Sequence, residues 1–260
     1  MIKATILALA LLCESAWAST PADWSELVTQ VKPAVVHINA YQQKPILSKA
    51  WDIPGVRRTW ITDLFDKLQA WLDNSTKNGN MSEGAGYFYD SSGMILTVAH
   101  VVDGADQVWI TLADRRRLEA RIIGVDLASD VAVLEVKGGG QFPSLPLANL
   151  QQVRVGEPVL AIGSPLGFAH SVSAGIISAV REDNYLSRNT FLQTDTPLTH
   201  GNSGGVLVDT SGRAVGISAY GHDGKFVSFL VPVYRALKIA NYLVKNQLPP
   251  RGCVPIFREK

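Results

Sequence analysis

The chain has 260 residues, of which 47% are hydrophobic and 18% charged, a balance typical of one globular unit or of two closely joined halves. The formal net charge is only +1, which gives no reason to expect a nucleic acid or an anionic membrane as a partner. The basic run Arg115–Arg117 stands between two strand-like segments, where a solvated hairpin turn is favoured over an anion site.

The N-terminus has the features of an export signal. Lys3 precedes an apolar run over residues 4–12, which is too short to cross a bilayer. The tripeptide Ala16-Trp17-Ala18 has the small residues that precede signal cleavage, so we expect residues 1–18 to be removed as a signal peptide. An uncleaved anchor is the alternative, and the short apolar run argues against it. Cleavage would leave no stable membrane anchor and only Cys253, which excludes an intramolecular disulfide.

The mature chain is predicted to begin with a helix and a strand. Residues 21–31 favour a short helix because Trp24, Leu27 and Val31 fall on one apolar face. Residues 34–40 follow as the first strand. His37 alternates there with apolar neighbours, so we interpret it as a structural residue or one on the polar face of the strand.

An insertion over residues 41–82 interrupts the strand pattern. It contains Trp51, Trp60 and Trp71, which are half of the six tryptophans of the chain. Apolar residues at helical spacing predict an amphipathic helix over residues 61–72. This helix either packs on its own barrel or covers a neighbouring surface, and the sequence leaves both open.

Two sets of six strands are predicted, joined by a flexible linker that begins at Gly138-Gly139-Gly140 and runs to about residue 150. A closing helix over 233–246, with its apolar residues on one face, and a tail over 247–260 complete the chain. The predicted strands are 34–40, 84–90, 94–99, 107–113, 117–125 and 131–137, then 158–162, 172–180, 191–196, 205–209, 214–220 and 227–231.

Three short motifs fall on these strands in a chemically informative order. Thr97-Val98-Ala99-His100-Val101 places a histidine at the end of an apolar strand, and Ser129-Asp130-Val131-Ala132 places an aspartate at the head of another. Gly201-Asn202-Ser203-Gly204-Gly205 presents a serine between glycines, which permit a sharp turn with inward-pointing N–H groups. The order His, Asp, Ser is that of chymotrypsin-like enzymes rather than of subtilisins or α/β-hydrolases.

These motifs resemble those of the HtrA/Deg family of trypsin-like serine proteases, and the resemblance extends from about residue 34 to residue 232. It implies an all-β fold of two six-stranded antiparallel barrels, over about 33–140 and 151–232, within a protease domain over 19–246. It places His100 and Asp130 on the first barrel and Ser203 on the second. The three would form a catalytic triad, and the backbone N–H groups of Gly201 and Ser203 would form the oxyanion hole.

The resemblance also implies where a substrate side chain is held. In this fold the residue before the scissile bond enters a pocket whose walls match Leu198, Ile217 and Phe229. The upstream wall Thr196-Pro197-Leu198 carries no acid to pair with a buried lysine or arginine. We therefore expect cleavage after small or medium aliphatic residues.

Regulation and assembly are inferred from the same resemblance. Arg188 precedes Phe191 at the spacing of an arginine that relays activation in stress-sensing relatives, although it could equally be a surface residue. His200 is interpreted as a solvated loop residue rather than a second base. Relatives form trimers through N-terminal apolar residues, for which Trp24 and Leu27 are suitable. Residues 247–260 are too short for the PDZ domain that follows in most relatives.

The sequence therefore predicts a serine endopeptidase, periplasmic or secreted, that cleaves unfolded or misfolded exported proteins through an acyl-enzyme. No zinc-protease, CxxC or phosphate-loop pattern is present, so neither a metal nor another cofactor is expected. The alternative is a peptide-holding chaperone or a regulated protease that is normally kept inactive.

In the family, the position of the tryptophan-rich insertion holds a variable loop near the active-site mouth or a neighbouring subunit.

Overall fold

A computed structural model describes residues 23–42, 80–136, 140–149, 153–164, 170–183, 189–198, 201–221 and 227–246. Several predictions lie outside these described residues: the signal peptide, the helix of the insertion, Arg188, His200 and the C-terminal tail. The remaining predictions can be compared with the structure directly.

The first barrel is a closed antiparallel ring. Its strands follow one another around the ring in the order β1–β2–β3–β6–β5–β4, and β4 pairs with β1 to close it. Closure gives every strand of the ring a neighbour on each side. The strands are β1 Val35–Gln42, β2 Asn80–Phe88, β3 Met94–Thr97, β4 Gln107–Thr111, β5 Arg117–Asp126 and β6 Val131–Val136.

The second barrel closes in the same way, in the order β10–β11–β12–β9–β8–β7. The prediction of two six-stranded antiparallel barrels is therefore confirmed. Among the described residues, the longest strand is β8, which continues three residues beyond its predicted end at Val180. The strands are β7 Pro158–Gly163, β8 Ser171–Asp183, β9 Asn189–Thr194, β10 Val206–Asp209, β11 Ala214–Gly221 and β12 Ser228–Pro232.

Three α-helices border the described barrels: α1 Ser25–Val31, α2 Ala99–Val102 and α3 Val233–Asn246. Asp23 accepts a hydrogen bond from the Ser25 N–H at 2.9 Å and so satisfies a donor at the start of α1. Helix α3 packs on β5 and β6 of the first barrel and on β11 and β12 of the second. An ideal Cβ on Gly124 would lie 3.0 Å from Leu243, so glycine at this position lets α3 approach β5 closely.

Two turns fold as the segments Asp90-Ser91-Ser92-Gly93 and Arg115–Arg117 predict. Asp90 Oδ1 accepts hydrogen bonds from the N–H groups of Ser92, at 2.9 Å, and Met94, at 3.2 Å, which fixes the turn between β2 and β3. The basic run lies in the turn between β4 and β5, where the guanidinium of Arg116 pairs with Asp114 at 2.7 Å. Both side chains are more than half exposed, so this is the solvated hairpin turn that we expected.

The buried apolar side chains form two clusters of unequal extent. The larger one, here called the inter-barrel core, fills the first barrel and continues into β7, β10, β11, β12 and α3 of the other half. The smaller one, the second-barrel core, lies wholly in the second half and consists of Ala148, Val159, Ala161, Ile177, Leu192, Leu198, Leu207, Val215 and Leu230. The inter-barrel core holds the two barrels together and so fixes the cleft between them.

Candidate active site

His100 and Asp130 are in contact, as their motifs suggested. The Nδ1 atom of His100 lies 2.9 Å from Asp130 Oδ2 and 3.1 Å from Oδ1. The backbone N–H of His100 also donates to Asp130 Oδ1 at 3.0 Å. One carboxylate therefore fixes both the main chain and the ring of the histidine. The side chains are only 11% and 3% exposed, so this contact is shielded from water.

Asp130 occupies an uncommon backbone conformation. Its φ is +55°, in the left-handed region that aspartate tolerates better than most residues. In the same turn, the Ser129 hydroxyl donates to the buried carboxylate of Asp126. The turn between β5 and β6 thus presents Asp130 toward His100 through its backbone shape.

His100 lies on a short helix rather than at the end of a strand. The sequence pattern extended the strand to Ala99, whereas β3 ends at Thr97 and α2 begins at Ala99. Val98 is extended, and the backbone N–H of Val101 donates to the Val98 carbonyl at 3.4 Å. This change of direction places Ala99, Val101 and Val102 in the inter-barrel core and leaves His100 partly accessible.

The loop that carries Ser203 is held from three directions. The Ser203 carbonyl accepts the N–H of Ala85, on β2 of the first barrel, at 2.8 Å. The Gly201 carbonyl accepts the N–H of Ser164 at 3.3 Å, and the Gly204 N–H donates to the Ser218 carbonyl at 2.7 Å. The serine therefore belongs to the second barrel in sequence but is also bonded to the first.

Glycine is required on this loop for a steric reason. Gly204 has a φ of +83°, and an ideal Cβ there would lie 2.1 Å from the Ala85 carbonyl oxygen and 2.3 Å from Thr97 Oγ1. Facing it, a Cβ on Gly84 would lie 2.6 Å from Val101 Cγ2 and 2.9 Å from the Ser203 carbonyl oxygen. The segments that carry His100 and Ser203 thus meet across two glycines.

The two predicted oxyanion donors lie on this loop. Gly201 has a φ of +87°, which glycine adopts without strain. Among the residues that the structure describes, no carbonyl or side chain accepts the N–H of Gly201 or of Ser203. Two such amides on one short loop could both donate to an anionic oxygen.

The three predicted pocket residues differ in accessibility. Phe229 is half-buried, whereas Leu198 is 7% exposed and belongs to the second-barrel core. Ile217 has no exposed surface and packs in the inter-barrel core. The Ile217 side chain is therefore inaccessible to solvent, which the strand pattern alone did not reveal.

The surroundings of these pocket residues carry no buried acid within the described ranges. Among all the described residues, the buried carboxylates belong to Asp126, Asp130 and Asp209. Of these, Asp209 pairs with Arg213 at 2.8 Å. Asp195, beside the upstream wall, is exposed and accepts the Ile176 N–H at 2.7 Å, in agreement with a role in loop hydrogen bonding.

Two further histidines lie near the site without joining it. His37 pairs in register with Ala85, and its burial lowers its pKa, although the nearby Glu83 acts in the opposite direction. Burial also lowers the pKa of His170, whose ring lies 2.8 Å from the Val35 carbonyl. Both pKa shifts favour the neutral form, and the burial of His37 fits the interpretation of this residue as structural.

Some residues that shape the site carried no signal in the sequence. Ala85, Ser164 and Ser218 contribute only backbone atoms to the serine loop, and backbone contacts of this kind do not depend on side-chain identity. Thr97 stands within the histidine motif, yet its contact with β2 depends on the pairing of strands. Across the described part of the chain, no group of three potential ligands could hold a metal ion.

No helix of the described chain is both long enough and apolar enough to cross a bilayer. This finding concerns the described segments alone, so the N-terminal apolar run is not included in it.

The chain is similar to known proteins in sequence and in fold. Residues 84–217 match the family model of the trypsin-like peptidase domain. A protein of Pseudomonas savastanoi pv. phaseolicola, named a probable periplasmic serine endoprotease DegP-like, is 37% identical over 88% of this chain and 51% of its own length. A protein of the same name from Pseudomonas fluorescens is 36% identical, with 96% of this chain and 55% of its own length covered.

A solved structure is also similar. The crystal structure of the serine endoprotease from Yersinia pestis superposes with a TM-score of 0.66 at 28% identity, covering 88% of this chain and 69% of the other. The chain spans about half the length of the curated relatives that it matches.

Proposed function

Because this chain belongs to the family of trypsin-like peptidase domains, we propose that it is a serine endopeptidase whose triad is Asp130, His100 and Ser203. The observation that carries the proposal is the bidentate contact of Asp130 with the ring and backbone of His100. The Ser203 loop bonds to β2 beside the helix that carries this histidine, which supports a shared site.

The contact with Asp130 determines which nitrogen of His100 can act as the base. An ionised carboxylate only accepts hydrogen bonds, so Nδ1 carries the proton and Nε2 has the lone pair. His100 Nε2 would take the proton of the Ser203 hydroxyl as its oxygen attacks a peptide carbonyl, and would then return it to the leaving amine. Water would next attack the acyl-enzyme, with His100 again as the base, and release the second product.

The negative charge of the tetrahedral intermediate would be stabilised by the backbone. The N–H groups of Gly201 and Ser203 would donate to the carbonyl oxygen as it becomes an oxyanion. Removing one such donor in a related mechanism costs about 10²–10³ in kcat. Main-chain donors need no side chain, which fits the two glycines that flank Asn202 and Ser203.

The substrate pocket is proposed to favour small or medium aliphatic side chains. Leu198 and Phe229 supply apolar surface, and the buried acids of the described residues are all engaged elsewhere. An unpaired lysine or arginine in such a place would lose hydration without gaining a counter-charge. With the Ile217 side chain buried, the depth of the pocket would depend on β11 rather than on its side chain.

The biological setting is proposed from the relatives. Their names describe periplasmic serine endoproteases, so we place this protein in the periplasm or outside the cell after removal of residues 1–18. Unfolded or misfolded exported proteins would be its substrates, since only an extended chain can pair with the strands that border the cleft. A homotrimer would form through α1 and the residue before it, where Leu27 and Trp24 are half-buried on the body of the domain.

The experiment combines casein digestion with a fluorophosphonate probe, using the mature protein and Ser203→Ala. We expect the probe to label only the protein with Ser203, and mass spectrometry to find cuts mainly after valine, alanine or leucine. Labelling of Ser203→Ala would contradict the nucleophile, and cuts mainly after lysine or arginine would contradict the pocket. Protection of casein from aggregation by both proteins, without fragments, would instead indicate a holding chaperone.

Two smaller tests address assembly and activation. Sedimentation that gives a monomer at micromolar concentration would contradict the trimer. Arg188→Ala should change kcat much more than thermal stability if this arginine relays activation. An unchanged kcat would mean that it is an ordinary surface residue.

A further inference from the structure

We propose that the Thr97 hydroxyl is a positioning group that sets the Ser203 loop against the segment bearing His100. This inference rests on the proposed protease function and adds a residue outside the triad and the oxyanion hole. Thr97 is the last residue of β3 and stands three positions before His100.

The first step is a buried hydrogen bond. The Thr97 hydroxyl donates to the Ala85 carbonyl at 2.7 Å, and Thr97 has no exposed surface. A hydrogen bond shielded from water resists displacement by solvent and holds its two groups in a narrow range of positions. The Ala85 peptide is therefore fixed relative to the end of β3, from which α2 and His100 continue.

The second step is a hydrogen bond between Ala85 and the proposed nucleophile. The same residue, Ala85, donates its N–H to the Ser203 carbonyl at 2.8 Å. Ala85 thus accepts a bond from the histidine-bearing segment and donates one to the serine. Within the described residues, this is a continuous hydrogen-bonded link from Thr97 to the main chain of Ser203.

The third step is steric. The hydrogen bond between Thr97 and Ala85 forms the surface on which Gly204 rests, because a Cβ on Gly204 would overlap both bonded oxygens. The loop therefore contacts the link at two consecutive residues, Ser203 through its carbonyl and Gly204 through its Cα. A shift of either oxygen would move the loop and with it the Ser203 hydroxyl.

The chemical consequence concerns the rate rather than the binding of substrate. Proton transfer from Ser203 to His100 requires the two side chains at hydrogen-bond distance, and a misplacement of about 1 Å can cost about a hundredfold in rate. Thr97 itself is buried and touches no substrate. Loss of its hydroxyl should lower kcat while KM stays nearly unchanged.

The test compares three variants with wild type. Thr97→Val keeps the shape and removes the hydroxyl, Thr97→Ser keeps the hydroxyl, and Ile110→Val is a control that perturbs the first barrel elsewhere. The concentration of reactive sites is titrated with a fluorophosphonate probe, and kcat and KM are measured per titrated site with a chromogenic peptide ending in valine. Thermal melting is recorded for all four proteins.

We expect Thr97→Val to lose about tenfold or more in kcat per titrated site, with KM within about twofold of wild type. Thr97→Ser should stay within about threefold of wild type. Ile110→Val should lower the melting temperature but keep the wild-type kcat per titrated site. The rate is divided by the concentration of reactive sites, so a loss of folded protein does not lower this value. If Thr97→Val does not fold, Thr97→Ala and Thr97→Ser form the same comparison.

The proposal is overturned if Thr97→Val keeps the wild-type kcat per site, or if Ile110→Val loses as much. The first result would make Thr97 a residue of fold stability only, and the second would assign the loss to a loosened barrel. A wild-type protein that neither reacts with the probe nor cleaves casein would overturn the protease function as well, and so is distinguished from both.

Discussion

The two barrels have the same topology but bury their side chains differently. The interior of the first barrel belongs to the inter-barrel core, which also takes side chains from four strands of the second barrel and from α3. The second barrel retains a smaller core of its own. Its strand β8 leaves Val172, Ile176 and Val180 about 40% exposed along one face. Apolar burial is thus concentrated in the first barrel and at the junction.

This difference indicates why the candidate site lies where it does. His100 and Asp130 are carried by the densely buried half, whereas Ser203 belongs to the other half and is bonded to Ala85 across the junction. The geometry of the three residues therefore depends on one interface. Variants that disturb this interface should affect catalysis more than variants of equal thermodynamic cost elsewhere.

The largest effect should come from the three residues of the proposed triad. Ser203→Ala and His100→Ala should each lower kcat by about 10⁶-fold, and Asp130→Asn by about 10⁴-fold, because these groups act as a unit. For the same reason the double variant of His100 and Ser203 should be barely slower than either single variant. Steady-state kinetics would measure this, and losses that simply multiply would contradict a joint mechanism.

A change on the serine loop should have the next largest effect. Gly204→Ala places a Cβ 2.1 Å from the Ala85 carbonyl oxygen, so the loop must move away from the first barrel. We expect kcat to fall about a hundredfold or more. Gly156→Ala is the matched control, since Gly156 has a similar φ of +86° and nothing within 4 Å of its Cβ site.

The two glycine variants separate two causes of loss. Both introduce the strain of alanine in the left-handed region, about 1–2 kcal/mol, but only Gly204→Ala adds the steric overlap. Gly156→Ala should therefore lower the melting temperature with kcat unchanged. Equal kcat in the two variants would mean that the contact between Gly204 and the first barrel has no role in catalysis.

The unequal cores can be tested by truncating one leucine in each. Leu134→Ala in the inter-barrel core and Leu192→Ala in the second-barrel core should each cost about 2–5 kcal/mol, since both side chains are fully buried. Hydrogen exchange should accelerate in both barrels for Leu134→Ala, but mainly in the second barrel for Leu192→Ala. Equal acceleration everywhere in both variants would contradict the division into two clusters.

The smallest expected effect is a dependence of stability on pH. His37 and His170 have folded-state pKa values below the ordinary 6.5, mainly because of burial. The unfolded chain therefore binds more protons than the folded one between the lowered pKa and about pH 6.5. The contribution of these histidines to the free energy of unfolding is fully present above that range. It falls as the pH decreases through the range and levels off below the folded-state pKa.

Urea unfolding at pH 8, 7, 6 and 5 would measure this dependence. We expect the free energy of unfolding to decrease from pH 8 to pH 5, because both lowered pKa values make proton binding favour the unfolded chain. The charged neighbours are Glu83, which opposes the shift of His37, His170, which adds to it, and Lys32, which adds to that of His170. A double His37→Gln and His170→Gln variant should have a flatter profile, and an unchanged slope would contradict the assignment.

Local sequence patterns predict the strands, the turns and the order of the three motifs. Apolar runs between turn signals located all twelve strands of the described chain to within a few residues, because a strand buried on one or both faces is a short apolar segment. The turn at Asp90 is predictable for a similar reason, since a short polar side chain bonds the backbone beside it. Strands and turns of this kind depend on residues that are close together in the chain, so a short stretch of sequence is enough to predict them.

Long-range packing determines how distant segments meet. That His100 leaves β3 on a helical turn, that Ile217 is fully buried in the inter-barrel core, and that Ala85 links Thr97 to Ser203 all depend on tertiary contacts. Ala85 and Ser203 are 118 positions apart in the chain and meet through backbone atoms. Backbone atoms are the same in every residue, so no periodicity or motif could have indicated that contact.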